Sequence, residues 1–386
     1  MRKLKICHIG WANSAHTARW VKWFADQGHD SYLITDQGEI EGVKTYVIPK
    51  SFEVESGPRW KRYMRLSFNI WRIQKMKYPM QRILWLRNLI NKINPDIVHS
   101  HPLWYPGSLG VFVNCKNFVV TVMNGDVMYH HGKDASLGHH LMVMYAMRKA
   151  KLITGVSQTL LNAAQKHGAS EKKTHVIRRG VDLTLFNSNR DKDEVKKRLS
   201  LKAKYIVLSP RYLAPMGNVS TIIRAVPLIV KKISDIQFIF LWGGPEVEKL
   251  RILAEELGVS DHMVFVGTIP HEHVPLYHTA ADIMVSIPLD DSGPIAMQEA
   301  MACGAVPVMS DLPCVREWID HDQNGILTPA KDFKRLANEI IELLENNEKR
   351  SSFVEKNLKL IEEKGDQNMW MEKVEKLYYG LIDDNR

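Results

Sequence analysis

Residues 290–311 read DDSGPIAMQEAMACGAVPVMSD and carry the local signals that decide the fold of the second half of the chain. The Ser-Gly-Pro turn places Pro294 in the first turn of a helix, and good helix formers follow as far as Gly304. The apolar run after Gly304 predicts a short buried strand, so the stretch is a loop, a helix and a strand of an α/β layer. Asp291 then lies in the loop and Glu299 on the helix. A helix N-terminus attracts anions and carboxylates hold sugar hydroxyls, a combination that suits a nucleotide sugar.

Length and composition predict a two-domain globular protein. The chain has 386 residues and 45% hydrophobic content, enough for two cores. Its longest apolar runs, such as FVVTVM and IQFIFLW, are far shorter than the roughly 20 residues of a membrane span. The N-terminus enters a strand without a signal-peptide pattern, which predicts a cytoplasmic location. The 4 cysteines show no CxxC or metal-ligand spacing, so we expect small buried thiols.

The net charge of +9 indicates an anionic partner, and its distribution is uneven. Residues 56–95 contain no Asp or Glu and interleave Lys and Arg with Trp, Tyr and Phe. This mixture is typical of an anionic membrane surface, which would make the protein peripheral on the inner face of the cell membrane. A pair of ordinary helices with a solvated basic face is the other interpretation. A nucleic-acid partner is not predicted, because no recognition module accompanies the basic residues.

Strand and helix patterns alternate along the chain and restart once. KICHIG, DSYLITD, GVKTYVIP, DIVHSH and NFVVTVM read as strands of a mainly parallel sheet with helices on both faces. After the charged run near residues 187–202, a second set begins with YIVLSP and IQFIFLW. We therefore predict two tandem Rossmann-like, doubly wound α/β domains at residues 1–190 and 191–365, facing across a central cleft. Residues 366–386 form a helix that could pack back on the first domain.

Several motifs, in order, give the chain a specific resemblance. They are PDIVHSH, VTVMNGDV, ITGVSQ, HVIRRGVDLTLF, LSPR, WGGPEVEKL, VFVGTIP, LYHTAADIMVS, EAMACGAVPV and REWIDHDQNGIL. Together they resemble the retaining glycosyltransferases of family 4, which have the two-Rossmann glycosyltransferase-B fold. The resemblance implies an acceptor side in the first domain and a donor side in the second. The family signature of two acids separated by seven residues falls on Asp291 and Glu299.

The resemblance assigns roles on the donor side. Family members transfer a sugar from a nucleotide diphosphate, here a UDP- or GDP-sugar, with retention of configuration and without a metal or other cofactor. By resemblance, Glu299 hydrogen-bonds the ribose and Asp291 holds the donor sugar. The remaining donor-binding residues are expected to be Arg211, Gly243, Gly293, Pro294 and Ile295. Arg211 would contact the phosphates, and the turn at residues 293–295 would supply N–H groups.

On the acceptor side the resemblance points to strand ends. His101 matches the second histidine of the family's His-x-His, where it faces the donor sugar, and His99 is the less favoured of the two. Gly125 and Asp126 match a turn that lines the acceptor side, although Asp126 could simply cap that turn. His16 and Arg19 follow the first strand and could also point into the site.

Three departures from the family pattern affect these expectations. The loop after the first strand reads WANSAHT, where the family usually has a glycine-rich loop. Met216 occupies the position of a phosphate-binding lysine, which removes a contact of roughly 1.5 to 3 kcal/mol. Asp291 and Pro294 replace the more usual Glu and Gly, a milder change.

The sequence therefore predicts a retaining, metal-independent hexosyltransferase that acts on a lipid-linked glycan, polysaccharide or lipid acceptor. A sugar-nucleotide epimerase or phosphorylase on the same scaffold is one alternative. A degenerate, non-catalytic binding protein is another, and Met216 is its best support.

Overall fold

The computed structural model describes residues 2–49, 68–128 and 137–383 of the chain. The chain divides into two compact units. The first contains residues 1–177 together with 371–386, and the second contains residues 178–370. The boundary expected at residues 190 and 191 therefore falls inside the second unit, which also includes the segment 178–190.

The described residues of the first unit form a parallel sheet of seven strands in the order β3-β2-β1-β4-β5-β6-β7. Every residue of β4 and β5 is buried, which explains the nearly continuous apolar sequence of β5, whereas β4 also buries the polar residues His99, Ser100 and His101. The strand order reverses between β1 and β4, so their carboxyl ends open a site on the sheet edge. The strands are β1 (Lys5–Gly10), β2 (Asp30–Thr35), β3 (Lys44–Val47), β4 (Ile97–His101), β5 (Phe118–Val122), β6 (Leu152–Gly155) and β7 (Thr174–Val176).

Helices flank this first sheet. Ser14 caps α1 by accepting a hydrogen bond from the Thr17 N–H, and α1 buries Trp20 and Phe24. The helices are α1 (Ala15–Asp26), α2 (Phe68–Ile93), α3 (Asn124–Val127), α4 (Leu137–Lys149) and α5 (Gln158–Lys166). A last helix, α13 (Gln367–Asp383), enters this unit at Met371, and its buried Tyr378 stacks on Phe24.

The described residues of the second unit form a parallel sheet of six strands in the order β10-β9-β8-β11-β12-β13. Its strand order reverses between β8 and β11, which creates a second sheet-edge site of the same kind. The strands are β8 (Tyr205–Ser209), β9 (Ile236–Leu241), β10 (Met263–Gly267), β11 (Ile283–Ser286), β12 (Val306–Ser310) and β13 (Ile326–Thr328).

The stretch at residues 290–311 adopts the predicted loop, helix and strand. Helix α10 (Ile295–Ala302) begins directly after Pro294 and ends before Gly304, whose φ of +86° reverses the chain into the fully buried strand β12. The other helices of this unit are α6 (Lys192–Arg198), α7 (Val219–Val230), α8 (Val247–Glu256), α9 (Val274–Ala280), α11 (Phe333–Glu345) and α12 (Asn347–Lys364).

Part of the basic segment at residues 56–95 lies outside the described residues. The structure describes residues 68–95 of this segment, which comprise helix α2 and the first two residues of the loop between α2 and β4. Within the described chain, none of the helices combines the length and the apolar character needed to cross a membrane.

Candidate active site

An acid–arginine cluster, formed by Arg211, Asp291 and Glu299, lies at the carboxyl ends of β8 and β11. Arg211 follows β8 and donates from Nη1 to Asp291 Oδ2 at 2.7 Å. The other oxygen of Asp291, Oδ1, accepts from the N–H groups of Ser292 at 2.7 Å and Gly293 at 3.1 Å. The Asp291 carboxylate is therefore fixed by three donors, and its ion pair with Arg211 is mostly buried.

Glu299 extends from α10 toward two histidines and an aromatic ring. The residue is 8% exposed, and its oxygens lie 3.7 Å from His271 Nε2 and 4.0 Å from His278 Nε2. Burial lowers the pKa of His278 to about 4, so this imidazole is neutral near pH 7. The buried ring of Phe186 packs against both histidines. Neither histidine was predicted, because a lone histidine in a sequence gives no spacing signal.

The turn at Gly293 differs from the sequence expectation in its hydrogen bonds. The Gly293 N–H is directed to Asp291, the Ile295 N–H donates to the Gly293 carbonyl at 2.9 Å, and Pro294 has no N–H. The groups expected to bind phosphate are thus engaged within the turn. In the first turn of α10 the Ile295 N–H is thus engaged and the Gln298 N–H donates to the Pro294 carbonyl at 3.4 Å, so Ala296 and Met297 carry the N–H groups that have no carbonyl partner inside the helix.

Gly243 lies at the same sheet edge, but the position that has no room for a side chain is the next residue, Gly244. The Gly243 carbonyl accepts from the Leu213 N–H at 2.9 Å, which ties the loop after β9 to the Arg211 loop. A Cβ at Gly243 would meet only ordinary contacts, whereas one at Gly244 would lie 2.2 Å from the Leu213 carbonyl oxygen. Gly244 is therefore the position at which the loop needs glycine.

The position of the missing lysine lies on the surface of the Arg211 loop. Met216 is 44% exposed, and its carbonyl accepts from the Leu289 N–H at 3.1 Å, two residues before Asp291. A second arginine missed from the sequence, Arg179, is half-buried close enough to interact electrostatically with Asp291 and Glu299.

A histidine cluster, formed by His8, His16, His99 and His101, lies at the carboxyl ends of β1 and β4. His8 Nδ1 and His101 Nε2 form a hydrogen bond of 3.1 Å, and the rings of His16 and Trp20 pack edge-on against His101. His101 was expected to face a sugar, but it is 0% exposed, so its imidazole is directed into the unit. Burial lowers the pKa of His99 and His101 well below the usual value and that of His8 to about 3.

The same cluster is where the described residues come nearest to a metal-ligand set. Nitrogen atoms of His8, His99 and His101 lie within 4.8 Å of one another. Both nitrogens of His99 are already engaged, at 2.5 Å by the Tyr378 hydroxyl and at 2.8 Å by the Thr121 hydroxyl. The neutral imidazoles therefore form a hydrogen-bond network that joins α13 to the sheet.

Asp126 and Gly125 organise the loop beyond β5. The fully buried Asp126 accepts from the Leu103 N–H at 3.1 Å and the Met123 N–H at 2.8 Å, so it links the loops after β4 and β5. This is the turn-capping role. A Cβ at Gly125 would lie 2.8 Å from Trp104 Nε1, and Trp104 is 46% exposed beside it.

The remaining two acceptor-side residues lie on α1. His16 is buried against Trp20, and Arg19 is half-buried one turn further along the helix.

Two Rossmann-like units, one of which carries an acid–arginine cluster beside a helix N-terminus, define the class of glycosyltransferases with the glycosyltransferase-B fold. Residues 14–185 match the family described as Glycosyltransferase Family 4. Residues 190–360 match the family described as Glycosyl transferases group 1. The chain belongs to family 4 of the glycosyltransferases.

Relatives span either the whole chain or part of it. The chain is 21% identical over 372 residues to N-acetyl-alpha-D-glucosaminyl L-malate synthase of Bacillus anthracis, covering 95% of this chain and 93% of the relative. It is 28% identical over 174 residues to a GDP-mannose-dependent phosphatidylinositol monomannoside mannosyltransferase of Mycobacterium tuberculosis, covering 43% and 45%. Anabaena HepE in complex with UDP and glucose superposes with a TM-score of 0.77 at 17% identity, covering 98% and 100%.

Proposed function

We propose that the protein is a retaining glycosyltransferase that moves a sugar from a UDP- or GDP-sugar to a lipid-linked glycan, polysaccharide or lipid. The observation that carries the proposal is the acid–arginine cluster, in which Asp291 precedes the N-terminus of α10 and pairs with Arg211, and Glu299 follows as the fifth residue of that helix. The names of two relatives support a nucleotide-sugar donor, since one is GDP-mannose-dependent and HepE is in complex with UDP.

Each member of the cluster has a role that follows from its surroundings. The Glu299 carboxylate is the hydrogen-bond acceptor for the ribose hydroxyls, and Phe186 and His278 hold it in place. Asp291 is fixed by backbone donors on Oδ1, so Oδ2 is the oxygen that turns to the hydroxyls of the donor sugar. Arg211 then exchanges part of its contact with Asp291 for the diphosphate.

The chemistry needs charge stabilisation at the leaving group. Breaking the anomeric bond leaves the electron pair on the diphosphate oxygen, while positive charge develops on the sugar. Arg211 and the N-terminal end of α10 stabilise the departing anion in place of a metal ion. The acceptor hydroxyl attacks from the side that the leaving group vacates and gives its proton to the departing diphosphate oxygen, which gives retention.

The acceptor side is proposed to lie at the sheet edge of the first unit. Trp104 presents an exposed ring stacked at 4.7 Å on His139, and a sugar ring can pack on such an aromatic face. Asp126 holds this loop through the hydrogen bonds that it accepts from the Leu103 and Met123 N–H groups. In this proposal His101 does not contact the sugar. It holds the end of β4 through its hydrogen bond with His8 in the histidine cluster.

A peripheral membrane location fits a lipid-linked acceptor. Helices α2 and α4 both pack against residues 107–112. Among the residues of these helices whose side chains the structure describes, the exposed large apolar ones are Met80, Leu84, Leu141 and Tyr145. Arg87 and Lys92 on α2 add positive charge, so apolar and basic groups occur together, as in membrane-binding surfaces.

Glu299→Gln tests the proposal most simply. The substitution keeps the shape and removes the charge, so kcat/KM with the true donor and acceptor should fall about 10- to 100-fold. Glu339→Gln is the matched control, because Glu339 is similarly covered but pairs with Arg335 on α11. Product anomeric configuration, read by NMR, tests retention separately. Unchanged turnover in E299Q would refute the site, and an inverted product would refute the stereochemistry.

A non-catalytic binding protein is the second candidate. Met216 in place of a lysine and the engaged N–H groups of the Gly293 turn favour it. Such a protein would bind nucleotide or glycan without releasing nucleotide when acceptor is present, so the turnover assay separates the two.

A further inference from the structure

The carboxylates of the acid–arginine cluster would repel a bound diphosphate. Two carboxylates, Asp291 and Glu299, already face the position proposed for the donor, and Arg211 is paired with one of them. The neutral, exposed Met216 adds no cation. The donor diphosphate carries two negative charges and gains more as the anomeric bond breaks, so beside two carboxylates it needs a second positive charge nearby.

The connecting segment, residues 178–190, carries a second arginine, Arg179, to the acid–arginine cluster. Arg178 is anchored away from the cluster, by a 3.2 Å ion pair with Glu317 and by the Trp318 ring 4.7 Å from its guanidinium carbon. On the other side, the Val181 N–H donates to the Gly365 carbonyl at 2.7 Å. These two anchors hold Arg179 between them.

Gly180 fixes the direction of the chain at the same point. Its φ is +64°, and a Cβ there would lie 2.4 Å from the Gln367 Cα. The backbone is therefore pressed against the start of α13 within the second unit, and Arg179 cannot shift without breaking that packing.

Further along, the segment packs against the histidines that face Glu299. Phe186 is buried and packs at 5.4 Å on His271 and 6.2 Å on His278, the two histidines that face Glu299. Residues 178–186 thus supply one side of the acid–arginine cluster. The Cys314 thiol donates to the Asp291 carbonyl at 3.2 Å, so the turn that carries Glu317 and Trp318, the two anchors of Arg178, also contacts Asp291 and brings residue 179 beside it. Burial lowers the pKa of Arg179 while the charges of Asp291 and Glu299 raise it, which agrees with this placement.

We propose that Arg179 supplies the positive charge that Met216 does not, by contacting the donor diphosphate from the connecting segment. This inference rests on the proposed donor site. In the free protein the Arg179 guanidinium balances Asp291 and Glu299, and in the complex it shares its donors with the phosphate oxygens. A guanidinium suits this exchange because it stays charged and offers several N–H donors in one plane.

Titration calorimetry with UDP and GDP, their monophosphates and their nucleosides tests the proposal. For the base that the parent binds, Arg179→Gln should weaken the diphosphate about 10- to 100-fold and leave the nucleoside unchanged. Arg178→Gln is the matched control, since it removes the adjacent charge outside the cluster, and its diphosphate affinity should equal that of the parent.

A rescue variant distinguishes a phosphate contact from a structural effect. Adding Met216→Lys to R179Q should restore most of the diphosphate affinity, because the lysine returns the charge from the Arg211 loop. If R179Q does not fold, Arg179→Lys replaces it, and a diphosphate affinity several-fold below that of the parent is expected, because a point charge replaces the planar fork.

The outcomes separate the two proposals. If the parent binds none of the nucleotides, the donor site itself is wrong and Arg179 falls with it. If the parent binds a diphosphate and R179Q, or R179K in its place, binds it equally well, only the role of Arg179 is overturned. Equal loss of nucleoside and diphosphate would also overturn it, because that result indicates damage to the whole pocket.

Discussion

Asp126 shows how one buried carboxyl group can hold two loops of a sheet edge. It accepts from the N–H groups of Leu103 and Met123, yet burial outweighs both donors and raises its pKa from 3.8 to about 7. A folded-state pKa above the unfolded value means that the folded protein binds the proton more tightly. The stabilisation is complete below about pH 4 and is lost as the pH rises to about 7.

Asp126→Asn removes this titration and predicts a pH-dependent difference in stability. The parent should lose stability relative to D126N by about 2 kcal/mol as the pH rises from about 5 to about 7, since one pKa unit corresponds to about 1.4 kcal/mol. Denaturant unfolding of both proteins at several pH values measures this. A difference that is constant, or that grows in favour of the parent with pH, would show that the two N–H donors dominate.

Single residues differ in how well the sequence predicts them. Asp291 and Glu299 could be proposed from the sequence because their spacing and the helix that follows Asp291 form a local pattern, and their role stays a prediction. Arg179 and His278 lie in motifs that carry the resemblance and His271 does not, but all three reach Glu299 only through the packing of separate elements, so the motifs assigned them no role. His101 was predicted at the correct strand end, but the direction of its ring depends on His8, which is 93 residues away.

At the scale of elements, the connecting segment at residues 178–190 does more than link the two units. It packs with the second unit, and Gly180 lies in the left-handed region against the backbone of α13. A side chain there would have to displace backbone atoms, which is far more costly than moving a flexible side chain.

Gly180→Ala and Gly258→Ala form a matched pair. Their φ angles are +64° and +65°, but a Cβ at Gly258 would meet nothing within 4 Å. G258A should cost about 1 kcal/mol for the left-handed conformation alone, and G180A about 3 kcal/mol or more. Melting temperatures and denaturant midpoints measure both. Equal costs would mean that the segment can move away from α13, and Arg179 would then not be rigidly held.

The elements themselves were largely predictable, and their unusual backbone positions were not. Pro294 and Gly304 mark both ends of α10, so its limits were close to those observed. Trp242 has a φ of 71°, which its side-chain type does not predict, whereas Asn218, with a φ of 53°, is of a type that adopts this region more often than most. Asn218 is held there by its side-chain amide, which donates to the Ile287 carbonyl at 2.9 Å. Such positions depend on tertiary contacts.

At the scale of the whole molecule, the net charge of +9 and the exposed apolar residues of α2 and α4 predict membrane binding. Vesicles with anionic lipid should sediment the protein at low salt and release it at high salt, because lipid phosphates attract exposed cations within a screening distance of about 10 Å at 0.1 M salt. Sedimentation with neutral vesicles is the control. Equal binding to neutral vesicles, or binding unaffected by salt, would contradict the electrostatic explanation.

The two-unit architecture followed from the repeated strand–helix alternation, which also led to the family resemblance. Acceptor identity does not follow in this way, because it depends on loops such as the one that carries Trp104.

The central claim is that the acid–arginine cluster binds a nucleotide diphosphate. A thermal-shift screen of the parent and E299Q against UDP, GDP, ADP, TDP, CDP and their common sugar conjugates tests it most directly. One nucleotide should raise the melting temperature of the parent by about 5 °C or more at about 100 times its Kd, and raise that of E299Q much less. If no nucleotide shifts the well-folded parent, or if both proteins shift equally, the cluster is not the donor site.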